Sequence, residues 1–516
     1  MSVLLLGNLS TPLSIALLAL VSYSVVHTYI RSRRLAHVPG PWYTKYTILP
    51  LLTWTYRGTS WQLFGYLCKT HGPLIRVAPN QLITGSVTQY KKMYSARPQQ
   101  GYPRSDWFTA MRLKPGFDNT LSMRDEVQHT KMRSKLSYGY SGKENPNLEK
   151  VIDEQVLNFV ALIETKYVSE PTKNISKPLD FAHKAFYFTL NVISALAFSE
   201  SFGNLAADDD RLGYIQQVES SIGVLNTLAL MPWLFNFMEK VQITKWLNRE
   251  DMGLGMTFKL AAKAVDQHFS TTKVEGRKDM LTSFLNHGLT RSELESEAVL
   301  QILAGSDTTA TAVRSVVLHV VSNPHIHQKL VQEIDSHHTE YEGIISDARA
   351  RKLPYLQACI KEGLRIWPPV SGLTSHEVPA GGDMIDGYFV PAGTRIGWST
   401  HAILHNPTIF SPNADTFRPE RWILATEGGD CDYLKLLQTM ERSLEVVFSY
   451  GRYKCLGQNV ALMELNKVVV ELFKRFDWEF CDPLRLMEVN YQAGIWVQSG
   501  MWMRAVRRQG PINHTE

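Results

Sequence analysis

With 516 residues, 44% of them hydrophobic, the chain is long enough to bury a large core, and its formal net charge of +5 is too weak to suggest nucleic acid, since no basic cluster interleaves with aromatics. The five cysteines, Cys68, Cys359, Cys431, Cys455 and Cys481, are odd in number and lack zinc-like spacing, which excludes a disulfide scaffold and argues for a reducing compartment. No repeat, low-complexity tract or Gly/Ser-rich linker divides the chain after its first residues, so residues 37–516 read as one globular unit behind an N-terminal segment, 1–36.

That segment carries an apolar run from Leu13 to Ile30, followed by Arg31, Arg33 and Arg34. About eighteen apolar residues are near the lower limit for a single transmembrane helix, and the arginines that follow would keep the remainder cytosolic. A cleaved signal peptide is the alternative, although Ser2 to Pro12 has no basic residue. Asn8-Leu9-Ser10 is a weak glycosylation sequon, and Pro39-Gly40-Pro41 stiffens the exit from the run.

Leu74–Val77 and Gln81–Thr84 alternate as short strands around Ala78-Pro79-Asn80, a hairpin signal. From Val127 the period turns helical and places His129 and Arg133 on one face. Helical spacing continues through Phe181–Phe198 and Met256–Phe269. The apolar stretch Val224–Phe235 fits either a surface contact or a core.

Val299 to Val321 is apolar on nearly every face, which predicts a helix buried through the protein and stopped by Asn323-Pro324. Inside it, Ala304-Gly305-Ser306-Asp307-Thr308-Thr309 is a polar insertion whose carboxylate and hydroxyls need partners. Glu362 and Arg365 form an i,i+3 pair, ordinarily a solvated one. If buried, the pair requires a further group to complete its hydrogen bonds. Val378–Gly382 and Tyr388–Thr394 read as strands of a small β region, and Ile495–Val497 with Met501–Met503 as a hairpin around Ser499-Gly500.

Phe448-Ser449-Tyr450-Gly451-Arg452-Tyr453-Lys454-Cys455-Leu456-Gly457 presents one thiol just before a helix whose apolar residues run from Val460 to Phe476. Helix N-terminal amides there would lower the thiol's pKa and favour a metal. Gly451 and Gly457 permit the turn and a close approach of a flat cofactor, and Phe448 shields the sulfur. The bland alternative is that Cys455 is a small buried hydrophobe.

This loop resembles the haem-binding loop of the cytochrome P-450 monooxygenases, Phe-x-x-Gly-x-Arg-x-Cys-x-Gly, with one departure: Tyr453 stands where the family has arginine, and Arg452 is displaced by one position. The resemblance covers essentially the whole chain. It implies a mainly α fold with a small β region behind a single N-terminal transmembrane helix, and a haem b whose iron is ligated by Cys455. Arg133, with His129 in place of the family's tryptophan, and His376, in place of a common arginine, would meet the haem propionates, the charge of His376 depending on pH. Asp307 and Thr308 would supply protons at the oxygen site, beside which Gly305 leaves space. Glu362, Arg365 and Arg421 would fix the cysteine loop.

Thiolate ligation favours oxygen activation. Because no Gly-x-Gly-x-x-Gly follows a strand, electrons are expected from NADPH through a separate partner, NADPH–cytochrome P-450 reductase, met by Lys131, Lys135, Arg452 and Lys454. The loop variant, with His129 and Gly142-Lys143-Glu144, looks most like filamentous-fungal members such as the pisatin demethylase-like group. The expectation is therefore oxidation of a lipophilic polyketide, terpenoid or alkaloid intermediate with O2 at the endoplasmic reticulum membrane. A broad-specificity detoxifying monooxygenase and a non-catalytic haem-thiolate sensor are the rivals, the second at odds with the Asp307–Thr308 pair.

Overall fold

The computed structural model describes residues 26, 28–30, 32–97, 101–114, 116–211, 213–241, 243, 255–270, 278–338, 343–372, 374–410, 413–423, 431–492 and 494–508. Most of the expected span Leu13–Ile30, and the Asn8 sequon, lie outside them. The described chain is mostly helical with small sheets.

Helix starts follow the local chemistry. Helix α1 is Ser60–His71. Helix α2, Glu126–Tyr140, is capped by Asp125, whose side chain accepts from the amides of Val127 and Gln128. Asp180 does the same for Ala182 at the start of α3, Phe181–Phe198, which matches the predicted helix end for end. Helices α4, Tyr214–Leu228, and α5, Pro232–Lys240, meet at 111°, with Pro232 opening the second. Among the described residues no single helix is long and apolar enough to cross a membrane, whereas this bent pair passes by length and composition together.

Helix α6, Arg291–Val321, begins eight residues before the predicted Val299, because Thr290 and Glu293 form a reciprocal capping box. Its apolar half crosses the core between α3 and α7, Pro354–Ile366. Two glycines set how close the helices come. A Cβ on Gly305 would lie 2.7 Å from Ile193 Cγ1, and one on Gly363 would lie 2.6 Å from Val316 Cγ2. The expectation that Gly305 leaves room beside a ligand is thereby corrected: Ile193 of α3 fills that room. Helix α8 is the short Thr400–Leu404, and α9 is Gln458–Arg475.

Strands β1, Leu74–Ala78, and β2, Gln81–Thr84, pair antiparallel as predicted. Strands β3, Val168–Ser169, and β4, Leu179–Asp180, belong to a second sheet. The predicted strand at Val378–Gly382 is replaced by β5, His376–Glu377, and by β6, Asp383–Ile385, which pairs with β7, Tyr388–Val390. Gly381 and Gly382, both at positive φ, make the turn between β5 and β6. Strand β8, Arg395–Trp398, runs parallel to β2 and antiparallel to β5, giving the order β1-β2-β8-β5.

The predicted hairpin around Gly500 does not form. Strand β11, Ile495–Ser499, pairs with β10, Glu488–Gln492, whereas β12, Trp502–Arg507, joins β9, Phe476–Phe480, with β3 and β4. Asp180 is the reason. Its carboxylate accepts from the amides of Gly500 and Met501, 3.0 Å each, and steers the chain into the second sheet.

Candidate functional site

Cys455 lies two residues before Gly457, the cap of α9, and its own amide donates to the Phe448 carbonyl at 2.7 Å. The loop folds here because Gly451 sits at φ 58° and passes so near the Tyr94 carbonyl that a Cβ would come within 2.0 Å of it. Gly451 thus serves packing against Tyr94. Gly457 has an ordinary φ of −81°, so the turn does not require it. Cys455 is exposed although protein surrounds it on nearly every side, which describes the wall of an internal cleft. Burial pushes its thiol above the usual value, against the opposing amides of Gly457 and Gln458 and the charges of Arg133 and Lys454. The helix-end amides lower the thiol as expected, but burial outweighs them in the net shift.

In α6, Ala304 is exposed and Thr308 half-buried between long fully buried stretches, so this face borders open space as well. The Thr308 hydroxyl donates to the Ala304 carbonyl at 2.7 Å. Asp307 is buried with Oδ2 unpartnered, and burial raises its carboxyl to about 6, with Arg314 opposing. Arg314 is itself held by the Ala182 carbonyl at 2.9 and 2.8 Å.

The propionate candidates gather around Tyr453. His129, on α2, and His376, on β5, are buried with both ring nitrogens unpartnered, and their rings lie 5.2 and 5.1 Å from the Tyr453 ring. Burial, reinforced by Arg104 and other arginines, lowers His129 to about 3 and His376 well below its usual value. Both shifts run against the pH-dependent charge expected of His376 and favour neutral rings in the haem-free protein. Arg133 donates to the Lys454 carbonyl at 2.6 Å, beside the cysteine. Arg452 turns away, to Glu126 at 3.0 Å and the Ser95 carbonyl, and Lys135 donates to the Gly288 carbonyl at 2.9 Å, so neither is a free surface cation.

The residue that sequence reasoning missed is Arg104. Its guanidinium stands 4.4 Å over the Tyr453 ring and 4.7 Å over Phe108, donates from Nη1 to the carbonyls of Thr120 and Met123, and leaves Nε without a partner. It stands against Tyr453, the position where the family pattern has arginine. No local motif announces it, because its place is set by an antiparallel bridge to His376, 272 positions away, secured by Ser105 N–H donating to Ser375 O at 3.1 Å and Glu377 N–H to Pro103 O at 2.8 Å.

Glu362 lies at the centre of the frame. Oε1 accepts from Arg365 Nη2, Arg421 Nε and the Arg418 amide at 2.7, 2.9 and 2.9 Å, and Oε2 from Arg365 Nε and Trp422 Nε1 at 2.8 and 2.9 Å. Burial would raise this carboxyl, but Arg365 and Arg421 outweigh it and hold it below the usual range.

Haem fits what the residues present. Buried, unpartnered nitrogens on His129, His376 and Arg104 offer donors to carboxylates, and the accessible Cys455 sulfur at a helix start suits iron. Fold and site together define a haem-thiolate protein. The chain belongs to the cytochrome P450 family of haem-thiolate monooxygenases: the family profile, Cytochrome P450, matches residues 39–495. It is 36% identical over 507 residues, 95% of this chain and 96% of the other, to cytochrome P450 monooxygenase ABA1 of Pyricularia oryzae. It is 34% identical to aba1 of Botryotinia fuckeliana, over 92% of both chains, and 27% identical to pkfB of Emericella nidulans, over 94% of both.

Proposed function

We propose that this enzyme oxidises a lipophilic polyketide, terpenoid or alkaloid intermediate of fungal secondary metabolism, with Cys455 holding the haem iron and Arg104, Arg133, His129 and His376 its propionates. The observation that carries the reading is the accessible Cys455 thiol deep in the protein, beside a cluster of buried donors without partners. Thiolate-held haem supplies activation of O2 and insertion of one oxygen atom into substrate.

The chain's own part is proton handling and positioning. Asp307, raised to about 6, gains and loses a proton near neutral pH, as a relay from water requires. Thr308 back-bonds to Ala304, and swinging that hydroxyl into the cleft would offer a proton there. Thr308→Ala should keep haem and substrate binding while product falls by about a hundredfold to ten-thousandfold. NADPH consumption should persist, with hydrogen peroxide rising in place of product. Unchanged product yield in Thr308→Ala and Asp307→Asn would sink the proposed proton route.

Electrons would come from NADPH through NADPH–cytochrome P-450 reductase, for which the exposed Lys131 and Lys454 offer cationic contacts. Residues 1–36 would anchor the protein in the endoplasmic reticulum membrane and leave the catalytic unit, 37–516, in the cytosol. The exposed Val224, Trp233 and Phe237 on α4 and α5 would add a second apolar contact. Deleting residues 1–34 should release the protein from microsomes with its haem spectrum intact. Full retention would assign attachment to the α4–α5 surface instead.

A further inference from the structure

The frame below the cysteine loop has an outer edge that the oxidation reaction does not use. Arg365 Nη1 donates to the carbonyls of Leu404 at 2.8 Å and Ala414 at 2.6 Å, the residues just before His405 and Asp415. One buried guanidinium thus holds two potential metal ligands side by side. His401, one helical turn before His405, lies parallel to it, with ring centroids 4.5 Å apart and an interplanar angle of 7°. Trp61 of α1 packs edge-on against both rings, at 4.7 and 5.6 Å. Helix α1 can come this near only because residue 65 is glycine: a Cβ there would fall 2.1 Å from His401 Nδ1. One donor atom each from His401, His405 and Asp415 lies within 4.8 Å of the others.

The two acceptors facing His405 are met either by a doubly protonated ring or by a neutral ring beside a cation. Nδ1 is 2.8 Å from Asp415 Oδ1 and Nε2 is 3.3 Å from the Ile366 carbonyl, so both ring nitrogens face acceptors. A neutral imidazole carries a single N–H and can satisfy one of them. A cation beside Nδ1 and the carboxylate would satisfy that side, while Nε2–H donates to Ile366 O, the usual outer contact of a metal-bound histidine. Binding then needs only the shift of one proton from Nδ1 to Nε2, with none gained or lost.

We propose that His401, His405 and Asp415 bind one divalent transition cation of the zinc, copper or nickel class. Two imidazole nitrogens and one carboxylate oxygen suit these ions and disfavour magnesium or calcium, and water completes the shell. Ligand atoms around zinc stand roughly 3.3 Å apart. Closing to that spacing turns the half-buried His401 ring out of the stack and swings Asp415, whose side chain is 85% exposed. The bound ion ties α8 to the Asp415 segment and so braces the frame from outside.

The test is equilibrium dialysis of the chelator-treated, haem-loaded full-length protein against micromolar zinc chloride, with metal analysis and thermal unfolding. Wild type should hold one zinc ion that Asp415→Asn and His401→Ala bind at least roughly tenfold more weakly. Its unfolding temperature should rise with zinc, and that of the variants should not. The exposed Asp415 makes Asp415→Asn safe for folding, as an unchanged ferrous carbon-monoxide spectrum would verify. Equal zinc binding by wild type and Asp415→Asn, or no bound zinc in wild type, would overturn the proposal and leave a plain histidine–aspartate pair.

Discussion

Two of the buried arginine clusters among the described residues differ in whether their hydrogen bonds close. Around Glu362 every named donor and acceptor has a partner, with Arg365 and Arg421 sharing one carboxylate and the carbonyls of Leu404, Ala414, Asn413 and Thr416. Around Tyr453 the ring nitrogens of His129 and His376 and the Nε of Arg104 have no hydrogen-bond partner. A closed buried network rigidifies a fold, whereas an open one is costly unless something completes it. The difference teaches that burial and charge alone do not mark a functional site, and that several unsatisfied donors gathered on one accessible thiol do.

Breaking the closed cluster should have the largest effect. Glu362→Gln leaves two buried guanidinium groups without their counter-charge, a loss of about 3–5 kcal/mol. The expected outcome is little or no folded haem protein, read from soluble yield and the ferrous carbon-monoxide spectrum. A normal yield would mean that the frame is dispensable.

The next effect follows pH. Burial raises Asp307 from the usual 3.8 to about 6, so the folded state binds this proton more tightly than the unfolded chain does. Its contribution is therefore favourable at low pH and fades as pH rises through that window, by about 3 kcal/mol in all. Asp307→Asn lacks this slope. Urea unfolding of both proteins from pH 4 to 7 should show the variant gaining on wild type as pH rises, and parallel curves would contradict the raised carboxyl.

In the open cluster, Arg104→Ala should leave the fold of the haem-free protein intact and loosen the haem by about 1.5–3 kcal/mol, a charged hydrogen bond's worth. Transfer of haem to apomyoglobin should quicken by roughly tenfold to a hundredfold. If stability fell and haem retention did not, Arg104 would belong with the frame. His129→Phe should cost less, about 0.5–1.5 kcal/mol of haem retention. Burial lowers His129 to about 3 in the haem-free protein, so a ring that also stays neutral beside the propionates gives retention flat between pH 5 and 8. A step near pH 6.5 would show the ring to be charged.

Local chemistry was legible in the sequence. Phe181–Phe198, the buried run of α6 and the cysteine just before α9 follow from periodicity and capping, and the family's Pro-Glu-Arg pattern pointed to Arg421 as the partner of Glu362 and Arg365. Distant pairing was not legible. Arg104 reaches the site through a bridge to His376, and Asp180 captures the amides that redirect β12. Gly305 is read correctly only when Ile193 is seen against it. The net shift of the Cys455 thiol was not legible, because desolvation, which depends on everything packed around it, outweighs the helix-end amides.

The central claim is that the open cleft exists to seat haem on Cys455, and the ferrous carbon-monoxide spectrum tests it most directly. The wild-type protein should give the red-shifted Soret band of thiolate ligation, and Cys455→His should bind haem without that band. The same red-shifted band in Cys455→His would contradict the account, because another group would then hold the iron.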